Sequence, residues 1–409
     1  SLAPVPSSLA LNLHEVVALT LANNQRIVQF QATEQESAAA ASSARSAFYP
    51  RLDLNYSYTR HNEPQPGEEK EFSILSLSAS YNLFKGLTDY NTTKAAEARS
   101  KAAGYQLRAV TADLILDVKQ AYIAQLRAAR SVDTSREGVE LLQRQQHDVE
   151  LYFKQGMIAR NDLLRVEVEL SSARQDLLQA QGNLQIANHR LERLMGVPLD
   201  QGQSLEDFFQ LPQLTKDDTE FYRLKLLQRS ELLYLGQLLE AADRDRSAAK
   251  GNNLPRVDLT LAHDEYGDSI SPTNGDFDED DKLMLTASWN LFNGFATHQS
   301  VAVADSRKRG ISAELQDTRD ALFLQLQTAL SDIRVAQGKL QEALSGITQA
   351  EENYRVTKSR YRQQQATTFD LLDARFLLTR ARNQEINARY DLHSKAAVLD
   401  RVLERDLRH

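Results

Sequence analysis

Two stretches of apolar/polar alternation, each running directly into a very long helical stretch, punctuate the chain. Leu52, Leu54, Tyr56 and Tyr58 alternate with Asp53, Asn55, Ser57 and Thr59. Leu75, Leu77, Ala79, Tyr81 and Leu83 alternate with Ser76, Ser78, Ser80 and Asn82. A period of two belongs to strands with one apolar face. The polar segment Arg60–Glu71, with Pro64, Pro66 and Gly67, reads as the loop between them. The pattern returns later. Val257, Leu259 and Leu261 alternate with Asp258, Thr260 and Ala262, and Leu283, Leu285, Ala287, Trp289 and Leu291 with Met284, Thr286, Ser288 and Asn290. The spacing therefore predicts two hairpins, 51–84 and 256–292, with four strands between them.

The recurrence is a sequence duplication. Ser80-Tyr81-Asn82-Leu83-Phe84-Lys85-Gly86 returns as Ser288-Trp289-Asn290-Leu291-Phe292-Asn293-Gly294. Tyr49-Pro50-Arg51-Leu52-Asp53-Leu54 matches Leu254-Pro255-Arg256-Val257-Asp258-Leu259. Tyr152 to Asp162-Leu163-Leu164 matches Tyr361 to Asp370-Leu371-Leu372, and the offset stays at 205 to 209 residues throughout. The chain divides into a first repeat (1–195), an inter-repeat linker (196–216) and a second repeat (217–409).

The remaining pattern is helical. After an irregular lead-in over 1–12, helices are predicted at about 13–47 and 217–250. Helices of 67 and 68 residues span 86–152 and 294–361. Each would reach roughly 100 Å if continuous, far longer than a globular helix. Short turns at 154–161 and 363–369 lead into return helices, 162–195 and 370–404. Val166, Leu170, Ala173, Leu177, Ala180, Leu184, Ala187, Leu191 and Leu194 form an unbroken heptad seam. The matching seam, from Ala374 to Leu399, is interrupted by Glu385 and Lys395.

Composition narrows the possibilities. Gly and Pro are few, and the prevailing residues favour long helices. The net charge of −8 argues against nucleic acid as a partner. There is no cysteine, so disulfides and thiol chemistry are excluded. No run of eighteen apolar residues provides a transmembrane helix. The start at Ser1 suits a mature chain whose leader has been removed. The eight histidines form no HExxH, and neither a phosphate-binding loop nor a nucleophile elbow occurs, so no enzyme, metal or cofactor is expected. The acidic run His263–Asp281, with eight carboxylates and no Lys or Arg, reads as a solvated loop.

Four strands cannot close a barrel by themselves. Their apolar face could lie on a helix layer in water, or face lipid in a barrel with a wet lumen. In the second case Tyr81, Phe84, Trp289 and Phe292 form an interfacial aromatic belt.

The duplicated strand ends, the Tyr49-Pro50-Arg51-Leu52 stretch and Asp370-Leu371-Leu372-Asp373-Ala374, in this order, resemble the TolC family of outer-membrane ducts over essentially the whole chain. The resemblance implies a mainly α fold with a small β part. Specifically, it implies a homotrimer with a helical periplasmic barrel continuous with a shared twelve-stranded barrel in outer-membrane lipid. Its function would be passive exit for a tripartite efflux pump or type I secretion system, with a periplasmic adaptor and an inner-membrane transporter as partners. By the same resemblance, Asp370 and Asp373 ring the periplasmic aperture and a Tyr361–Asp162 hydrogen bond helps to shut it. Where the family carries a basic residue near the gate this chain has Ala366, and Gln365 replaces the glycine expected in the second turn. Gly156, Met157, Ile158 and Ala159, with Ala366, Thr367 and Thr368, form tips on which the adaptor would dock. Spacing alone leaves Asp162 and Asp370 equally readable as helix N-caps. A periplasmic coiled-coil scaffold without a channel is the alternative function.

Overall fold

The structure is a computed structural model describing residues 10–63, 65–66, 69–199, 203–208, 211, 219–270 and 278–405. In chain order the elements begin with β1 (Ala10–Leu11), α1 (Leu13–Asn23), α2 (Gln25–Arg45) and a short 3₁₀ turn (Ser46–Phe48). Then come β2 (Arg51–Arg60), β3 (Glu71–Lys85), α3 (Thr88–Lys154) and α4 (Arg160–Met195). The second series is β4 (Ser204–Leu205), α5 (Thr219–Leu226), α6 (Ser230–Gly251), β5 (Arg256–Gly267), β6 (Asp278–Ser288), α7 (Ala296–Arg362) and α8 (Thr368–Val402). The long helices α3 and α7 both have 67 residues. The compact units cut across the sequence repeats. One holds residues up to 29, 108–229 and from 319 onward; the other holds 30–107 and 230–318.

The second unit contains an antiparallel sheet in the order β2-β3-β5-β6. The two hairpins have equivalent registers: Arg51 lies opposite Ser80, and Arg256 opposite Ser288. A bulge between Asn82 and Phe84 shifts the β3–β5 pairing. Cross-strand pairs such as Leu54–Leu77, Ala79–Leu261 and Leu259–Leu285 gather the apolar residues on one face. That face is open: Leu52 is 72% exposed and Leu283 71%. The opposite face carries serines, Asp53, Asn82 and Asp258. Both outer edges, β2 and β6, lack a strand neighbour among the described residues.

The last strand is shorter than its alternation predicts, ending at Ser288 instead of Leu291. Its single neighbour, β5, begins at Arg256, which already pairs with Ser288. Beyond that point the backbone has no ladder to join among the described residues. The acidic run also differs from a solvated loop. Asp264 and Glu265 belong to β5, and Asp278 to Asp281 to β6; Asp276 lies outside the described residues. Asp264 faces Asp280, and Glu265 faces Glu279. Like charges directly opposite are unfavourable, and Lys282 sits between the first pair, 2.9 Å from Asp264 and 2.8 Å from Asp280.

The helices predicted at 13–47 and 217–250 are each broken, at Asn24 and at 227–229. Asn24 leaves helical geometry (ψ 124°), and its side chain accepts from the Arg26 N–H. Its amide also donates to the Leu194 carbonyl, 2.8 Å away. At the equivalent break, the Arg229 guanidinium donates to the carbonyls of Arg401 (3.1 Å) and Val402 (2.7 Å). In both repeats the break thus supplies donors to the last carbonyls of the return helix, which have no intrahelical partner.

In the first unit, every position of the predicted α4 seam is buried or half-buried, with Val166 and Leu191 fully so. The interruptions in the α8 seam are paired: Glu385 with Arg389 at 2.6 Å and Lys395 with Asp332 at 2.8 Å. The described part of the linker is held rather than loose. Its strand β4 pairs in parallel with β1, and Tyr122 donates to the carbonyls of Leu11 and Glu206. Asp207 accepts from Tyr390 at 2.9 Å and from Arg130 at 2.8 Å. Burial, reinforced by Asp207, pushes the Tyr390 hydroxyl up to about 12.

Candidate functional site

Two duplicated places concentrate chemistry: the helical turns far along the chain from the strands, and the strand–helix junctions.

The turn after α3 closes as its sequence dictates. The Gly156 N–H bonds to the Phe153 carbonyl and the Met157 N–H to the Tyr152 carbonyl, at 2.9 Å each. Gly156 takes the left-handed φ of +71°, which glycine adopts without a Cβ penalty. The second turn repeats this geometry. Gln364 bonds to the Tyr361 carbonyl and Gln365 to the Arg360 carbonyl. Gln364, not Gln365, therefore holds the left-handed position, at φ +59°. The equivalent hydrogen bonds also shift the sequence match by one residue: Tyr361 stands where Phe153 stands, not Tyr152.

Both helices that follow the turns carry an aspartate at their third position, and neither is the cap itself. Ala159 caps α4 and offers no side chain, leaving Asp162 in the first turn. Asp162 is half-buried and its carboxylate has no hydrogen bond or ion pair among the described residues. Thr367 caps α8 in a reciprocal box with Asp370. The Asp370 N–H donates to the Thr367 hydroxyl at 3.2 Å, and Asp370 accepts from the Thr367 N–H at 2.8 Å. The backbone N–H and then the hydroxyl of Thr367 hold the Asp370 carboxyl below its usual range. Asp370 and Asp373 are both exposed.

Tyr361 is half-buried, and its hydroxyl lies 3.5 Å from Thr368 Oγ1. Within one chain this contact, not one to Asp162, is what the hydroxyl makes. Burial raises the Tyr361 hydroxyl, and the negative charge of Asp162 adds to the shift. Thr368 is only 4% exposed, so it faces Tyr361 and not solvent. Met157 and Thr367 are exposed, while Ile158 and Ala366 are half-covered. Beside this tip a groove of about 520 Å³ is lined by Leu164, Val168, Phe369, Leu372, Asp373 and Phe376. Phe369 is 58% and Phe376 61% exposed, and Arg165 lies over the Phe369 ring at 5.6 Å. Neither phenylalanine was anticipated as part of the site. Their apolar neighbours in the sequence suggest core positions, and only the helix phase turns them outward.

At the junctions, Gly86-Leu87 and Gly294-Phe295 each carry two successive left-handed residues, which turn strand directly into helix. A Cβ on Gly86 would lie 2.1 Å from the Gly251 carbonyl oxygen, so both conformation and space require glycine there. The anticipated aromatics cluster here. Tyr81 is half-buried in the apolar face, and Phe84, Trp289 and Phe292 are exposed. Trp289 donates to the Asn253 carbonyl at 2.9 Å, and Phe292 packs edge-on against Phe295 at 5.5 Å. Phe48, Tyr49 and Phe295 extend the exposed set. The Phe48-Tyr49 pair before Pro50 was the available signal.

A family model described as "Outer membrane efflux protein" matches residues 16–197 and 222–404. Outer membrane protein TolC of Escherichia coli is 25% identical over 94% of this chain and 80% of its own length. Alkaline protease secretion protein AprF of Pseudomonas aeruginosa is 24% identical over 93% of this chain and 82% of its own. The crystal structure of the outer membrane protein VceC from Vibrio cholerae shares the fold. Its TM-score is 0.84 at 18% identity, covering 96% of this chain and 95% of that one.

Proposed function

We propose that this chain, which belongs to the outer membrane efflux protein family, contributes one third of the exit duct it forms in the outer membrane. Three copies pool four strands each into one twelve-stranded barrel, and their long helices form a tunnel on the periplasmic side. One observation carries this reading: a four-stranded sheet whose apolar face is uncovered and whose two edges are unpaired among the described residues. An open edge is a template for another strand, and in lipid only a closed ring satisfies every backbone group. The aromatics at the junction suit a lipid–water boundary. The same exposed face weighs against a scaffold whose sheet lies on its own helices.

The turns serve as the gate. Asp370 and Asp373, one helical turn apart, place six carboxylates around a three-fold axis, and such a ring favours cations. Tyr361 and Asp162 act as a latch. In support, the Asp162 carboxylate has no partner among the described residues, its charge adds to the raised Tyr361 pKa, and the Tyr361–Thr368 contact is long. A periplasmic adaptor docks on Gly156, Met157, Ile158, Ala159, Ala366 and Thr367, with the Phe369–Phe376 groove beside them, and shifts the hairpins toward the open state. Thr368 acts from behind this surface, through Tyr361. Transport energy comes from an inner-membrane transporter, and the duct itself performs no catalysis. The cargo is a small molecule or an unfolded polypeptide.

Native mass spectrometry of detergent-extracted protein tests the assembly. Three chains per particle are expected; a monodisperse single chain that needs no detergent would refute it.

A further inference from the structure

We propose that the duplicated junction motif is completed between subunits, with Asn290 of one copy donating to Asp53 of the next as Asn82 donates to Asp258 within one chain. The proposal rests on the trimeric barrel above and assigns its inter-subunit register.

The hairpin registers show that β2 is the counterpart of β5, and β3 the counterpart of β6. Strand β3 has neighbours on both sides. Its last stretch, residues 81–85, pairs with β5 alone, because β2 ends its pairing at Ser80. The counterpart stretch, 289–293, follows Ser288, where β5 ends its pairing. Among the described residues, what they lack is the neighbour that β3 finds in β5. A second copy's β2 is that neighbour. Carrying the β3–β5 register over to this pair sets Ser288 opposite Asn55, Asn290 opposite Asp53, Phe292 opposite Leu52 and Asn293 opposite Arg51. The bulge falls at Leu291. Apolar residues then meet apolar ones on the outer face, and polar meet polar on the inner.

The side chains are already arranged for it. Asn82 Nδ2 lies 2.9 Å from Asp258 Oδ1, and Arg256 holds Asp258 from its own strand. Arg51 holds Asp53 in the same way, at 2.7 Å. Asp53 accepts no amide, and Asn290 makes no side-chain hydrogen bond, among the described residues. Space repeats the pattern. Gly86 is pressed against Gly251, whereas a Cβ on Gly294 meets nothing within 4 Å. The counterpart of Gly251 in the first repeat is Ser46, at the turn before β2. Ser46 carries the Cβ for which Gly251 has no room, 2.3 Å from the Gly86 carbonyl oxygen, so in the assembled ring the next copy lies beside Gly294 less closely than Gly251 lies beside Gly86.

The chain has no cysteine, so introduced thiols are the only ones present. Residues directly opposite in antiparallel strands have Cβ atoms about 4.5–5.5 Å apart, close to disulfide reach. Oxidation of an Asp53→Cys/Asn290→Cys protein is expected to give covalent dimers and trimers on non-reducing gels. An Asn55→Cys/Asn290→Cys protein, on the same face but two residues out of register, is expected to stay largely monomeric. Cross-linking of the Asn55 pair instead, or none of the Asp53 pair in protein whose native mass is three chains, would overturn the register while leaving the trimer intact. A native mass of one chain would remove the trimer itself. A charge test that needs no thiols covers a cysteine variant that fails to fold. Asn290→Asp sets two carboxylates face to face and is expected to convert most of the three-chain particles seen by native mass to single chains, and adding Asp53→Asn restores them. An unchanged trimer in the single variant would count against the contact.

Discussion

At the scale of single residues, the electrostatics of the proposed gate depend on a helix cap. Asp370 accepts from the backbone and hydroxyl of Thr367, which lowers its pKa. A depressed carboxyl stays charged, and keeps its capping bond, until the pH falls through its folded value. Any cation preference that Asp370 supplies therefore persists below the usual aspartate range and fades only at still lower pH. Thr367→Val removes the hydroxyl contact but keeps the backbone N–H, so the fade is expected to begin at a higher pH. Reversal potentials measured across a pH series check this, and identical profiles for the two proteins would exclude Thr367 as the tuning group. The aspartates were legible in the sequence, as was the possibility that they act at helix starts. The box itself was not, because Thr367 read as part of the docking tip and Asp370 as a cap. The left-handed Gln364 was missed for a related reason: glutamine carries no local signal for that conformation, and only the repeated turn reveals it.

At the scale of elements, the duplication specifies more than lengths. The 67-residue helices, their turns and the α4 seam follow from periodicity. The helix breaks do not, because Asn24 and Arg229 share a role without sharing chemistry. Each donates to the end of a return helix, and a pattern search sees neither. The Arg229 site is buried. Its guanidinium and the Glu404 carboxylate are 4% and 5% exposed and 3.5 Å apart, with Arg401 3.6 Å from the same carboxylate. Removing one member of a buried ion pair strands the other charge, at a cost of about 3–5 kcal/mol. Arg401 remains beside Glu404, so Arg229→Ala is expected to destabilise by about 3 kcal/mol, at the lower end of that range. It would appear as a lower midpoint of thermal unfolding followed by helical circular dichroism. A midpoint within error of the parent would show that the site is surplus to stability.

At the scale of the whole molecule, the sequence already contained the main tension: four strands, too few for a barrel, with one apolar face that either a helix layer or lipid could cover. The structure sharpens this by leaving Leu52 and Leu283 in the open and ending β6 where its neighbour β5 stops pairing. Lipid and further copies of the chain resolve both features at once, which is why assembly and membrane insertion belong to one proposal. The interface between copies was not legible in the sequence because the motif's two halves, Asn290 and Asp53, meet only after the chain is folded and repeated.

Single-channel conductance in a planar bilayer tests the duct most directly, comparing the parent protein with Tyr361→Phe/Asp162→Ala. A duct latched by these residues gives small, cation-selective steps that grow in the double variant. Unchanged small steps would reject the latch but keep the duct. No conductance from protein that is stable without detergent would contradict the duct itself.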